Sequence, residues 1–269
     1  MEFGPDAAPL VYGGAYFGTI ALIAAAEAAA PRRALHAPLR ARWFANIALA
    51  VLNTGAMRLL VPVTSIAFAM ALGERGWGLL NAWAPPFWLA ALATLLALDF
   101  SRYALHWLLH RMPVLWRLHA VHHSDIDYDF TTALRFHPVE AVVTSAWMLA
   151  VIAALGPPVE ALIAVEGVFI ACSIATHANV RLPAVLDAVL RRIVVTPDLH
   201  RIHHSARIDE SNANFGTILP WWDRLFGTYR NAPAQGHEAM TIGLAGSRDA
   251  EALTLSHLLL YPFRSVRAA

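Results

Sequence analysis

Five apolar stretches decide what this chain can fold into. Residues 10–30, 43–72, 86–105, 139–155 and 158–176 are each close to or beyond the span that crosses a bilayer as a helix, about 20 mostly apolar residues. Backbone N–H and C=O groups meet no water inside hydrocarbon, so such stretches must satisfy themselves as helices. With 58% hydrophobic and 14% charged residues the chain is also too apolar for an ordinary soluble domain. The expected fold is an all-α integral membrane bundle of about four to five transmembrane helices, one embedded domain over 1–269. Arg58 and Pro62 interrupt the second stretch, while only Gly156, Pro157 and Pro158 separate the last two, which predicts a tight helical hairpin. The first stretch has an acidic start and too long an apolar run for a cleavable signal peptide.

Charge sets the expected orientation. The linker after the first stretch carries Arg32, Arg33, Arg40 and Arg42, whereas the loop after the second offers only Arg75, offset by Glu74. The positive-inside rule then puts that linker in the cytoplasm and the N-terminus, with Glu2 and Asp6, outside. Residues 106–138 and everything after about 177 fall inside, where most remaining arginines lie. All 20 basic residues are arginine, a usage that suggests a GC-rich bacterial genome and hence a bacterial inner membrane. A net charge of +1 argues against a nucleic-acid partner, and the single cysteine, Cys172 in the fifth stretch, excludes a disulfide framework or a CxxC metal site.

Against this background histidine is conspicuous. HWLLH places His106 and His110 four residues apart where the third span ends, on one side of a helix as a metal needs. PVLWRLHAVHH starts a new helix at a proline and delivers His119, His122 and His123; TPDLHRIHH repeats the device, with Thr196 as a cap before His200, His203 and His204. His137 in RFHPVE and His177 in ATHANV flank the hairpin. The topology gathers these ten imidazoles at one cytoplasmic surface, a histidine-rich helical cap on the bundle. Ten suit two metal ions better than one, since a nitrogen-ligated site takes about four to six ligands. Imidazole alone does not choose among iron, zinc, copper and nickel. Bridging carboxylates expected of a di-zinc hydrolase are absent from the boxes, and adjacent pairs such as His122 and His123 have no use in haem ligation. An oxygen-activating di-iron centre is the best match.

The series DFSRYALHWLLH, LWRLHAVHHSDIDYDFTTALRFHPVE, HANV, TPDLHRIHH and NANFGTILPWWDRLFGTY resembles the fatty acid hydroxylase superfamily, or sterol desaturase family, over roughly residues 90–230. The resemblance implies a membrane non-haem di-iron enzyme that uses O2 and two electrons to hydroxylate lipid C–H positions. It implies iron ligation by His106, His110, His119, His122, His123, His200, His203 and His204, with His177 matching the family's histidine after the hairpin. Some relatives have a second histidine there, where this chain has Ser173 and Arg181, a vacancy that His137 is a candidate to fill. Desaturation, sterol methyl oxidation and ether-lipid cleavage on the same centre are alternatives, and a zinc-dependent membrane hydrolase is a more distant one. No cytochrome b5-like module is attached, so a separate ferredoxin, flavodoxin or reductase is expected to supply electrons.

Three supporting residues stand out. Asp99, seven residues before His106 and on nearly the same face, is expected to partner a ligating imidazole or Arg102, because a carboxylate at membrane depth is costly and rarely idle. DIDYD lacks the glycine and glutamate of a calcium loop, so Asp125 is expected either to accept from ligand N–H groups or to lie in a solvated loop. Asn214 is a candidate cap on the metal site, Trp221 and Trp222 read as interfacial anchors, and 183–194 and 249–260 as amphipathic segments lying on the membrane.

Overall fold

The computed structural model describes residues 5–61, 63–246, 248 and 253–264; Glu2, Pro62 and residues 249–252 lie outside them. Five helical segments have the length and apolarity of a membrane span. They are α1 (Ala8–Ala29); a broken segment, Leu39–Trp83, made of α2 (Leu39–Leu60), α3 (Ser65–Glu74) and α4 (Leu79–Trp83); α5 (Phe87–Arg111); α7 (Pro138–Leu155); and α8 (Val159–Thr176). The chain is an integral membrane protein. The cap is built by α6 (Pro113–His123), α9 (Ala184–Leu190) and α10 (Pro197–His203). Prolines open α6, α7 and α10, where a missing N–H costs nothing, and Thr196 caps α10 as its sequence suggests.

In lipid, helices are held by close packing more than by burial from water. The core joins α3, α5, α7 and α8 through Ala69, Leu72, Leu98, Ile152 and Leu162, and Ala8 of α1 packs into it. Gly167 lets α1 approach α8, since a Cβ there would stand 2.8 Å from Val11 Cγ1. Leu10, Phe17, Val51 and Leu59 point outward to lipid, and Trp77, Trp83 and Trp88 are exposed around the end that carries the hairpin turn. There Gly78 (φ 102°) crosses Gly156 (φ 61°), and a Cβ on Gly78 would lie 2.5 Å from the Gly156 backbone. Gly78→Ala is expected to destabilise the protein by about 1–3 kcal/mol through strain and clash. Gly55→Ala, in open space on α2, should leave the thermal midpoint in detergent unchanged or raised.

At the opposite end the cap is tied to the bundle by buried charge. Arg42 of α2 donates to Asp125 (2.6 Å), Asp129 and Thr132 (3.0 Å), and Asn46 donates to Asp125 (3.3 Å) and Thr131 (3.0 Å). Asp127 accepts from the backbone N–H of His36 and Ala37, and Glu27 of α1 from those of Phe130 and Asn179. The DIDYD acids are therefore buried crosslinks and not a solvated loop. Arg42, counted above as an orientation signal, is 1% exposed, so its place on this side follows from packing as much as from charge sorting.

The exposed side chains of Val185, Leu186 and Val189 on α9 join Ile193, Trp221 and Leu225 in an apolar surface of the kind that rests in a bilayer interface. Trp221 donates to the Arg192 carbonyl (2.8 Å) and Arg224 to that of Arg191 (2.7 Å), fixing the two segments together. The helix Leu255–Leu260, expected on the membrane surface, is instead packed onto the cap, with Leu258 fully buried beside Ala45, Leu49 and Val121.

Candidate metal centre

Nine of the ten histidines form two groups. His106, His110, His119, His123 and His203 bring one nitrogen each within 4.8 Å of one another, and His122, His177, His200 and His204 do the same beside them. The helical repeat explains the division. On α6, His119 and His123, one turn apart, serve the first group while His122 points to the second; on α10 the pattern inverts, with His200 and His204 in the second group and His203 in the first. Neighbouring rings diverge, at 89° for His122 and His123 and 85° for His203 and His204.

The ring nitrogens point to a cation. His106 donates Nδ1–H to the Phe215 carbonyl (2.8 Å) and His119 to the Glu140 carboxylate (2.7 Å), so in the neutral rings both Nε2 atoms carry lone pairs, yet they face each other at 3.1 Å. The same holds for His122 and His177, whose Nδ1–H groups go to the carbonyls of Arg135 and Ser173 and whose Nε2 atoms are 3.2 Å apart. Two acceptors at that distance repel unless a positive centre lies between them, and nitrogens bound at right angles, about 2.1 Å from a metal, stand about 3 Å apart. His204 has neither nitrogen partnered, and His110 Nδ1, His200 Nδ1 and His203 Nε2 are likewise buried without partners. An unmade hydrogen bond in a dry interior costs about 1–3 kcal/mol. Burial, reinforced by neighbouring imidazoles, pushes His122, His123, His200 and His204 well below the ordinary imidazole range, takes His177 to about 4 and takes His203 to about 3. These rings are neutral, as ligands must be. The site is a pair of buried all-imidazole clusters that could hold metal.

The residues that orient the rings were only partly anticipated. Glu140, at the first turn of α7, holds His119, a role hidden in the sequence because HPVE draws attention to its histidine. His137 joins neither group: its Nδ1 accepts from the Val139 N–H that opens α7 (3.2 Å) and its Nε2 faces the Leu259 carbonyl (3.2 Å), so it is a helix cap. Asp99 reaches no imidazole and does not pair with Arg102. It accepts from the N–H groups of Ile218 (3.2 Å) and Leu219 (3.1 Å) and from the Trp222 indole (2.9 Å). Asp223 accepts from Phe215 and Gly216 (both 2.8 Å), and burial raises its carboxyl to about 6. Together Asp99 and Asp223 fix the loop whose Phe215 carbonyl orients His106. Asp125 also touches no imidazole; burial would raise its carboxyl, but Arg42 and Arg135 overcome this and hold it below the ordinary range. Asn214, at a left-handed φ of 56°, bonds Leu199 and Arg230 and so presents the flanking carbonyls of Ala213 and Phe215 to His203 and His106.

These roles separate by experiment. Glu140→Gln is expected to weaken metal retention about 10–100-fold, as loss of a carboxylate behind a ligating histidine does. His137→Gln should keep full metal content and lose only the cap, about 1 kcal/mol; titration with a chelator, followed by metal analysis, reads both.

A cavity of about 760 Å³ opens onto both groups, with His106, His119, His122, His177 and His200 in its wall. Most of its lining is apolar. Its lining runs out to the break between α2 and α3, where Arg58, Val63 and Thr64 are exposed on the face of a membrane-spanning segment.

Residues 91–228 match the fatty acid hydroxylase family. The chain is similar to the ornithine lipid hydroxylase OlsE of Rhizobium tropici, 30% identical over 91% of this chain and 74% of that protein. It is also similar to the alkylglycerol monooxygenases of Danio rerio, 33% identical over 55% of this chain, and Homo sapiens, 30% over 50%, matching 31% and 29% of their respective lengths. No solved structure matches significantly. With buried histidine clusters, membrane-spanning helices and a lipid-facing cavity already in place, the matches close the argument: the chain belongs to the fatty acid hydroxylase family and is an integral membrane oxidoreductase.

Proposed function

We propose that the protein is a di-iron oxygenase that hydroxylates a C–H bond of a membrane lipid, consuming O2, two electrons and two protons and releasing water. The observation that carries this reading is that two all-imidazole groups, nine nitrogen donors with no thiolate, border one cavity that opens to lipid. Iron bound there would supply O2 activation and abstraction of hydrogen from an unactivated carbon. The residues do the rest: Glu140 and the carbonyls of Phe215, Ser173, Arg135 and Ala213 fix the ring orientations. The apolar lining, with Leu105, Leu109 and Ile174, excludes water and aligns a hydrocarbon. The histidine end faces the cytoplasm in this reading, and a separate ferredoxin, flavodoxin or reductase delivers electrons there. The likeness to OlsE over most of the chain favours a polar-headed lipid as substrate.

Metal analysis of anaerobically purified protein, Mössbauer spectroscopy of iron-57-grown cells and lipid extracts made under labelled dioxygen test the proposal together. About two irons per chain with one labelled oxygen in a lipid product supports it. Stoichiometric zinc, with no activity on iron reconstitution, overturns it.

A further inference from the structure

The cavity wall holds two opposite charges at membrane depth. Arg102 lies on α5 four residues before His106, and its guanidinium carbon stacks 3.7 Å from the Phe169 ring centroid. Its Nη1 is buried without a hydrogen-bond partner, and among the described residues it makes no ion pair within 4.0 Å. Glu166 of α8 accepts at Oε2 from the hydroxyls of Tyr12 and Ser65 (2.9 Å to Ser65), leaving Oε1 without a donor among the described residues. Both residues line the cavity, between the opening beside Thr64 and the histidines.

Unpaired ionic groups inside a bilayer are expensive and mark function. Among the described residues the two charges make no direct contact and neither forms an ion pair within 4.0 Å on the metal side, so Glu166 and Asp99 act on Arg102 only through space. Two hydroxyl donors fix Glu166 as an acceptor, and stacking on Phe169 fixes the guanidinium as a donor fork. A neutral glycerol ether would leave both unsatisfied, and a simple anion would answer only one. We propose that Arg102 and Glu166 clamp the zwitterionic headgroup of the lipid substrate, a free carboxylate on Arg102 and a free ammonium on Glu166. This rests on the reading of the protein as a lipid oxygenase and narrows its substrate to amino-acid-headed lipids.

Binding tests it without turnover. Full-length protein in nanodiscs is titrated with an N-acyl diamino acid lipid, its methyl ester, its N-acetyl derivative and a neutral alkylglycerol. Wild type should bind the zwitterion about tenfold or more tighter than either blocked derivative or the alkylglycerol, the worth of one charge-assisted contact. Arg102→Gln should lose only the preference for free carboxylate over ester, and Glu166→Gln only that for free ammonium over amide. Arg102→Lys should keep part of the first, which a merely structural role would not produce. Variants that retain wild-type preferences, or equal wild-type affinity for the alkylglycerol, overturn the clamp. Selective binding with no oxygen-dependent product leaves the clamp standing and removes the proposed reaction. Oxidation of neutral lipids alone does the reverse.

Discussion

On the proposed function, alanine at His203 or at His204 is expected to abolish lipid oxidation, by about a thousandfold or more, because each removes one imidazole from the proposed metal centre, and losing a ligand there would cost several kcal/mol. The two variants should fail differently. His203 belongs to the five-histidine group and leaves four imidazoles behind; His204 belongs to the four-histidine group and leaves three. Metal analysis should show the second variant with the greater loss. Both rings are buried, and His204 has no protein partner on either nitrogen, so removing it disturbs no other hydrogen bond. Unchanged circular dichroism with lost metal is therefore the expected signature. Retained metal and full turnover in either variant would count decisively against an assembled two-group centre.

Arg42→Ala is expected to cost about 3–5 kcal/mol, as breaking a buried ion pair from one side does. Arg42, Asp125 and Asp129 are each no more than 1% exposed, so the abandoned carboxylates cannot recover water. The exposed pair of Arg181 and Glu238 is the control, and Arg181→Ala should cost no more than about 1 kcal/mol. Thermal unfolding in detergent reads both. Because Asp125 follows His123 by two residues on the cap, metal should be lost from the Arg42 variant below its unfolding temperature. Equal midpoints for the two variants would show that the buried network does not hold the cap.

Much of this was legible in the chain. Hydropathy marks the spans because a long unbroken apolar run satisfies its own backbone in lipid only as a helix, and Arg58 with Pro62 marks in the sequence the place where α2 gives way to α3. The HxxHH spacing reports one helical face, which is why the boxes could be read. The allotment of each ring to a group could not, since it depends on where α6 and α10 face each other. Supporting residues were hardest. Glu140 was not singled out and Arg42 reads as an orientation signal, because their partners lie elsewhere in the sequence, while His137 reads as a candidate ligand although it caps its own helix through Val139. Asp99 was identified as important, but its partners, the loop N–H groups more than a hundred residues away, are set by tertiary folding.

The crossed allotment of α6 and α10 makes the two clusters mechanically inseparable. Sequence neighbours, His122 with His123 and His203 with His204, feed different clusters, so helix pitch and peptide geometry act as a ruler between them. No hinge can open one and spare the other. An ion held by the first cluster would constrain the helices that carry three of the four donors of the second. Loading should thus behave as a single cooperative event, and the half-filled protein should be a scarce species at any metal concentration.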